Sequence, residues 1–494
     1  MTTKLQNTLP LAVLILIGLF IFTIGIRVNY TNIDEAYFVD PVINLLTGHG
    51  YTTTSWNITR QSETHVSTAP FYSCLLMVWL KIFGISQTAV RSLSAALVLS
   101  GAFVFWRACA RAGLVKSGAA GAVLISVLVL DYGYAYSYSV GRPDALSALC
   151  VAALFYCFTL PNQRIALGVM GGMAVVLPFV QWGCVIYVGF LSVALLVLLG
   201  RKALLYVMVI GFGLAAGLLV QKTAYTHFNI WNTWMNTIKA ERSERIANWI
   251  GNRLGLDLLI NRHSNTIPKD FSALVVLAGM ALIYIRSKFC RQPRGAQLAK
   301  AAWVIAGVVT LGMYLVGKFP TYYGWMLSLP LAAILASYCD LARQTGRIET
   351  VLVSLVVVLA CGVGLPMQAA LAARDWSERQ PGSITAWLGP KISKDDVVYC
   401  DYPFYYIAKE RSRVVFTGHY LKKMSDEDFT NLTVVIIGSH GSDWSQSERA
   451  LNNKLVVGRW QPERVGWLGN DWQYGILSAP NYDCTVYRLK GRND

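Results

Sequence analysis

The sequence predicts a polytopic α-helical membrane protein of about 11 transmembrane helices, with interfacial helices on one side and a small C-terminal α/β domain. Three observations predict it. Of 494 residues, 54% are hydrophobic and 14% charged, where a soluble domain carries about 25% charged residues; mean hydropathy is +0.44. Leu9 to Ile26 is 18 residues without a charge, enough to cross about 30 Å of hydrocarbon. Charge is also segregated. Residues 1–368 hold 27 Lys/Arg against 12 Asp/Glu, and residues 369–494 hold 16 against 15. All but one unit of the formal charge of +16 therefore lies in the apolar part. That excludes a soluble nucleic-acid binder, and no nucleic-acid motif interleaves the basic residues.

The first apolar run reads as an uncleaved span. Lys4 is the only cation before it, and no small-x-small cleavage site follows. Further candidate spans lie at 88–106, 117–131, 143–160, 165–182, 183–200, 203–221, 271–285, 301–317, 321–339 and 349–368. Eight of the ten cysteines fall in residues 1–368, mostly inside these runs. A buried thiol there acts as a small hydrophobe. Cys400 and Cys484 lie in the tail, and a bridge between them has little support.

With the N-terminus inside, the inner loops collect 14 basic residues and only two acidic ones, Asp340 and Glu349. The outer side of the membrane part holds 13 basic and 10 acidic. This is the positive-inside pattern. It predicts a multi-pass protein of the plasma (inner) membrane, with a cytoplasmic N-terminus and an extracytoplasmic C-terminal domain. Residues 1–368 form the membrane domain and residues 369–494 the small outer one. The outer face also receives residues 27–87 and 222–270, more mass than a pore needs and suited to an enzyme at the surface. In the tail, Val397–Asp401, Arg413–Thr417 and Thr433–Gly438 are β-branched runs separated by helical stretches, Tyr402–Glu410 and Ser425–Asn431. The alternation suggests a small α/β unit. It has no GxGxxG, so no nucleotide cofactor is expected.

Asn32-Ile33-Asp34-Glu35 begins a few residues past the first span. Val39 to Leu46 continues as an amphipathic helix suited to the interface. Two adjacent carboxylates in a reduced dielectric can raise the pKa of one toward general-base range. Asp is equally a favoured helix N-cap. Both roles stay open for Asp34, with Glu35 as capping or pairing neighbour. Glu63 and His65 follow as candidate acceptor or ion ligands; lone residues in a polar loop are more often solvated, and no HExxH-type spacing supports a metal. Pro70 to Ser86 is apolar with Lys81 inside it. An interfacial helix with Lys81 snorkelling preserves the charge asymmetry.

Two more motifs carry charge in costly places. Arg142-Pro143-Asp144 opens a span at its outer end. Charged groups beside a transmembrane helix are functional candidates, although Pro in the first turn and Asp at a helix N-terminus are also good capping chemistry. Asp131 marks the preceding helix end and reads as structural. Lys318-Phe319-Pro320-Thr321-Tyr322 lies between two spans on the outer face, against the charge bias. An anionic headgroup would explain Lys318, a point-charge phosphate binder, with Tyr322 as a hydroxyl donor; snorkelling and the aromatic belt would too. Trp231, Trp234, Arg242, Arg245, Trp249, Arg253 and Arg262 read mainly as belt and snorkelling residues.

Asp34-Glu35 after a first span, the Pro70-Phe71-Tyr72 start, Leu80 to Ser86, Arg91, Arg142-Pro143-Asp144 and the Lys318–Tyr322 string together resemble the polyprenol-dependent membrane glycosyltransferases of GT-C fold, which include protein O-mannosyltransferases and lipid A aminoarabinose transferases. The resemblance spans roughly residues 10–370. It implies that Asp34 is the acidic catalytic residue, that Asp144 lines the active-site cavity, and that Lys318 and Tyr322 contact the lipid phosphate. The chain departs from that pattern at Ser67-Thr68-Ala69-Pro70, which lacks the usual cation, and at Gly324-Trp325, which replaces the usual Pro.

The expectation is an inverting glycosyltransferase that moves a monosaccharide from a polyprenyl-phosphate donor to an extracytoplasmic glycan, lipid or protein. Asp34, Glu35 and Asp144 are the candidate catalytic residues, and Lys318, Tyr322 and Arg142 the candidate phosphate ligands. A divalent metal is left open. The rival is a transporter or flippase of lipid-linked sugar, but paired repeats and broken midplane helices are not evident.

Overall fold

The computed structural model describes residues 2–29, 31–56, 63–236, 271–286, 293–316, 323–373, 376–377, 380–438, 460–465, 472–474, 477–479 and 484–489. Among the described residues, fifteen helices fill the N-terminal part. They are α1 (Thr2–Thr23), α2 (Ile33–Leu46), α3 (Pro70–Phe83), α4 (Gln87–Arg111), α5 (Gly118–Leu130), α6 (Tyr132–Ser139), α7 (Asp144–Phe158), α8 (Gln163–Val180), α9 (Trp182–Leu199), α10 (Leu204–His227), α11 (Phe271–Arg286), α12 (Pro293–Val316), α13 (Trp325–Thr345), α14 (Arg347–Gly362) and α15 (Leu365–Ala373).

Each of the eleven apolar runs coincides with a helix or a bent helix pair. Among the described residues, six helical segments are long and apolar enough to cross a membrane, or up to eight if each bent pair is one span. The gap from eleven has a local cause. α7 and α11 are short, and α9 and α10 run on through a single 3-10 turn at Gly200–Ala203. α5 and α6 meet at 56°, and α14 and α15 at 48°. The chain is a multi-pass membrane protein. Ile348, Val351, Leu355 and Val358 leave an exposed apolar stripe on α14, and Phe212, Leu219 and Val220 do so on α10. In water such stripes would be aggregation sites; in hydrocarbon they cost nothing.

Local chemistry sets the helix starts. Ser86 accepts from Ala89 N, Ser117 from Ala120 N, and Asn162 from Arg164 N and Ile165 N, each satisfying orphan donors of a first turn. Asp131 ends α5 and caps α6 through Gly133 N and Tyr134 N, the structural role expected of it. α8 and α10 touch backbone to backbone: a Cβ on Gly217 would stand 2.3 Å from the Val175 carbonyl oxygen. Small residues are what permit such approach between membrane helices. α13 is almost wholly buried and forms the centre of the bundle.

The C-terminal part is a small α/β unit. α16 (Pro381–Leu388) leads to β1 (Val397–Cys400), α17 (Tyr405–Arg411), β2 (Val414–Thr417), α18 (Asp426–Asn431) and β3 (Val434–Gly438). β4 (Trp460–Val465), β5 (Trp472–Tyr474), β6 (Leu477–Ala479) and β7 (Cys484–Leu489) follow. The main sheet has the order β2-β1-β3-β7-β4. β1 pairs parallel to β2 and β3, while β7 pairs antiparallel to β3 and β4; β5 and β6 form a separate antiparallel pair. The three runs read from sequence are β1, β2 and β3. Cys400 and Cys484 are both buried and are not joined in a disulfide.

Candidate functional site

Asn32 starts α2: its φ is −110° and ψ 176°, and its side-chain oxygen accepts from Glu35 N at 3.0 Å. The capping reading of Asp34 is therefore corrected. Asn32 supplies the acceptor, which leaves Asp34 and Glu35 inside the first turn, where the helix dipole favours acids. Consecutive helical side chains point about 100° apart, so the two carboxylates enter different surroundings.

Glu35 is fully buried and forked by Arg91 of α4: Nη2 donates to Oε2 at 2.7 Å and Nε to Oε1 at 3.1 Å. Arg91 Nη1 also donates to the carbonyls of Ile26 at 2.9 Å and Asn29 at 2.5 Å. Tyr406 of α17 adds a hydrogen bond to Glu35 Oε1 at 3.1 Å. Burial pushes the Glu35 carboxyl above its ordinary value, more than Arg91 and Tyr406 pull it down.

Asp34 takes the other direction. It pairs with Arg142 Nη1, and Arg142 Nε donates to Asp144 Oδ2 at 2.7 Å. Arg142 and Asp144 are buried, whereas the Asp34 side chain keeps 25% exposure. Phe38 lies 6.0 Å beneath the guanidinium. The loop that carries Arg142 is bolted in place. Tyr72 donates to the Gly141 carbonyl at 2.8 Å, Ser94 to the Arg142 carbonyl at 3.2 Å, and Arg142 N to the Ser137 carbonyl at 3.1 Å. Gly141 has φ +64°, and a Cβ there would meet Val90 Cγ1 at 2.6 Å and Glu35 Cγ at 3.6 Å. Only glycine lets this turn lie against Glu35.

Three carboxylates and two guanidiniums thus lie around the first turn of α2, paired as Glu35 with Arg91 and as Asp34 and Asp144 with Arg142. Asp144 Oδ1 is buried and has no hydrogen-bond partner among the described residues. A donor or cation from a ligand would satisfy it. Among the described residues, no three His, Cys, Asp or Glu side chains gather as a metal site.

His65 is buried between Tyr37 and Tyr51, with ring centroids 5.4 and 5.7 Å away, while Glu63 is exposed. Burial lowers the His65 imidazole to about 4 against the opposing charge of Asp40. It is neutral at pH 7. Lys318 and Tyr322 lie outside the described residues, as do Arg242, Arg245, Trp249, Arg253 and Arg262. Trp234 is buried against Tyr225, with Trp182 and Trp231 beside it.

The structure adds Asp40, Tyr406 and Lys409 to the surroundings of the site, and it gives Arg91, part of the sequence resemblance, its role as the partner of Glu35. Asp40 offered one signal, a lone charge inside the apolar run Ala36–Leu46. Nothing local marked Tyr406 or Lys409, because their meaning comes from docking across about 370 residues of chain.

No family model matches the chain, and no curated protein matches its sequence. Two crystal structures of ArnT from Cupriavidus metallidurans do resemble it. The one bound to undecaprenyl phosphate aligns at 12% identity over 97% of this chain and 97% of that chain, with a TM-score of 0.53. The apo state aligns at 12% identity over 97% of each chain, with a TM-score of 0.51. A likeness over nearly the whole of both chains fixes architecture rather than chemistry. The chain has the GT-C fold.

Proposed function

We propose that the protein is an inverting membrane glycosyltransferase that moves a monosaccharide from a polyprenyl-phosphate donor to an extracytoplasmic acceptor. One observation carries the reading: the Asp34–Arg142–Asp144 array, in which two members are buried and Asp34 alone reaches the surface of the site. In this reading residues 1–368 hold the lipid-linked donor and residues 369–494 cover the site from outside. The fold shared with ArnT, seen with undecaprenyl phosphate, supports the donor class. The positive-inside charge bias supports an outward-facing site.

The reaction forms a bond from an acceptor oxygen to the sugar's anomeric carbon and breaks the bond from that carbon to the phosphate oxygen. Charge then grows on the departing polyprenyl phosphate. Arg142 and Lys318 offset it in a low-dielectric site, and Tyr322 adds a donor. Asp34 receives the acceptor's hydroxyl proton, worth roughly 10²–10⁴-fold for a general base. Asp144, buried beneath Arg142, holds the guanidinium while Asp34 exchanges partners. Where the acceptor is itself a phosphate no proton need move, and Asp34 orients it.

Reconstituted liposomes test this against a lipid-linked-sugar flippase. A glycosyltransferase consumes the donor, and releases polyprenyl phosphate, only when acceptor is on the same side. Movement of intact donor across the bilayer without acceptor would instead establish the transporter. Lys318→Ala should raise the apparent KM for donor; an unchanged KM removes Lys318 from the phosphate site.

A further inference from the structure

The C-terminal unit does more than sit near this array. Asp40, fully buried on α2, accepts four hydrogen bonds. Thr53 Oγ1 and Thr54 N donate to Oδ2 at 2.9 and 2.8 Å, and Tyr405 Oη and Lys409 Nζ donate to Oδ1 at 2.8 and 2.9 Å. Lys409 also reaches Asn44 Oδ1 at 2.5 Å. Beside this latch, Thr417 N of the edge strand β2 donates to the Thr54 carbonyl at 3.2 Å, and Thr54 Oγ1 donates to the Val415 carbonyl. The segment 53–54 thus covers the free edge of the sheet. α17 is thereby fixed at both ends of one turn: Tyr405 and Lys409 are locked onto Asp40, and Tyr406, between them, points at Glu35.

We infer that Tyr406 is a positioning residue of the candidate site, acting through Glu35 to set the first turn of α2 and with it the direction of Asp34. The inference rests on the glycosyltransferase reading for what Asp34 does, but not for how Asp34 is held. The reasoning is geometric. Asp34 and Glu35 are neighbours in one helical turn, so the rotation that faces Asp34 to Arg142 is the rotation that faces Glu35 to Arg91 and Tyr406. Glu35 is faced by Arg91 from α4, by Tyr406 from α17 and at longer range by the Tyr72 hydroxyl from α3. Arg91 holds both carboxylate oxygens, and the Tyr406 hydroxyl is a second donor to Oε1. The site is therefore complete only when the C-terminal unit is docked.

Tyr406→Phe removes the hydroxyl and keeps the ring, and Lys409→Met releases the latch. Ser425→Ala, in the capping box of α18, perturbs the same unit without touching α2. The decisive readout is hydrogen exchange of amides 33–38 in the full-length protein in detergent. Both site-facing variants should speed it by about tenfold or more, with α18 unchanged, while Ser425→Ala should leave 33–38 alone. Exchange at 33–38 that stays at the wild-type rate in Tyr406→Phe, or that rises equally in Ser425→Ala, overturns the inference. A second readout separates positioning from mere packing: the acid limb of the pH profile for sugar transfer should move upward in Tyr406→Phe, because Glu35, whose charged form pairs with Arg91 and holds the turn that carries Asp34, loses a donor to that form. An unmoved limb removes Tyr406 from the site's electrostatics and overturns the inference as well. If wild-type protein transfers no sugar from any polyprenyl-phosphate donor, the functional reading falls, and the exchange measurement alone still decides the positioning role.

Discussion

Replacing Arg91 tests how the site is built. Arg91 and Glu35 are 1% and 0% exposed, so each charge depends on the other. Arg91→Met leaves a buried carboxylate with Tyr406 as its remaining named donor. Breaking a buried pair by removing one partner costs about 3–5 kcal/mol. The Ile26 and Asn29 carbonyls also lose their donor, at about 1–3 kcal/mol each if they stay dry. These costs overlap, and we expect about 5 kcal/mol in total. Glu35→Leu takes the carboxylate away from the buried guanidinium and should cost about 4 kcal/mol. In the double variant neither charge is buried alone. It should therefore recover at least about 3 kcal/mol relative to the sum of the singles. Reversible unfolding in mixed micelles, read by circular dichroism on all four members of the cycle, gives the numbers. Single variants that each lose less than about 1 kcal/mol, or a double variant that is simply additive, would refute the interdependence argued from the fork.

Other expectations follow from the same contacts. His65 is depressed by burial to about 4, so the unfolded chain binds its proton first as pH falls. Stability should be full above about 6.5 and decline toward pH 4 by up to about 3 kcal/mol, and His65→Phe should flatten that decline in pH-dependent melting. Asp40 is held below its ordinary range by Lys409, Thr54 and Tyr405 in spite of burial, so its contribution should be lost only lower still, through its own folded-state pKa. Gly141→Ala forces a side chain into φ +64° and onto Val90. It should cost about 1–3 kcal/mol in melting experiments and reduce transfer through displacement of Arg142.

Much of the helical fold was legible because membrane helices announce themselves through long apolar runs and through the sidedness of Lys and Arg. The three parallel-paired strands were legible for a similar reason: Val397, Val414 and Val434 begin runs of β-branched residues broken by turn chemistry. The Asp34–Arg142–Asp144 association was half legible. The Arg142–Asp144 pair is local, two residues apart at a helix start, but its closure onto Asp34 needs α2 to lie against the α6–α7 turn. The Asn32 cap was missed because Asp34 is as good a capping residue, and only the backbone at Asn32 decides between them. Arg91–Glu35, Asp40–Lys409 and Tyr406 were not legible at all. They join segments 56, 369 and 371 residues apart, and no spacing rule reaches that far.

In the proposed reaction Asp34 serves the transfer of a sugar and does not merely hold α2. Asn at position 34 keeps the size and the Asn32 cap but loses the carboxylate. The direct measurement is mass spectrometry of envelope glycans and glycolipids from cells lacking the protein, complemented with the wild type or with Asp34→Asn at matched expression and melting temperature. One monosaccharide should be missing from the deletion strain, restored by the wild type and still missing with Asp34→Asn. Full restoration by Asp34→Asn, or a deletion strain whose glycans and glycolipids are unchanged in mass, would contradict that role.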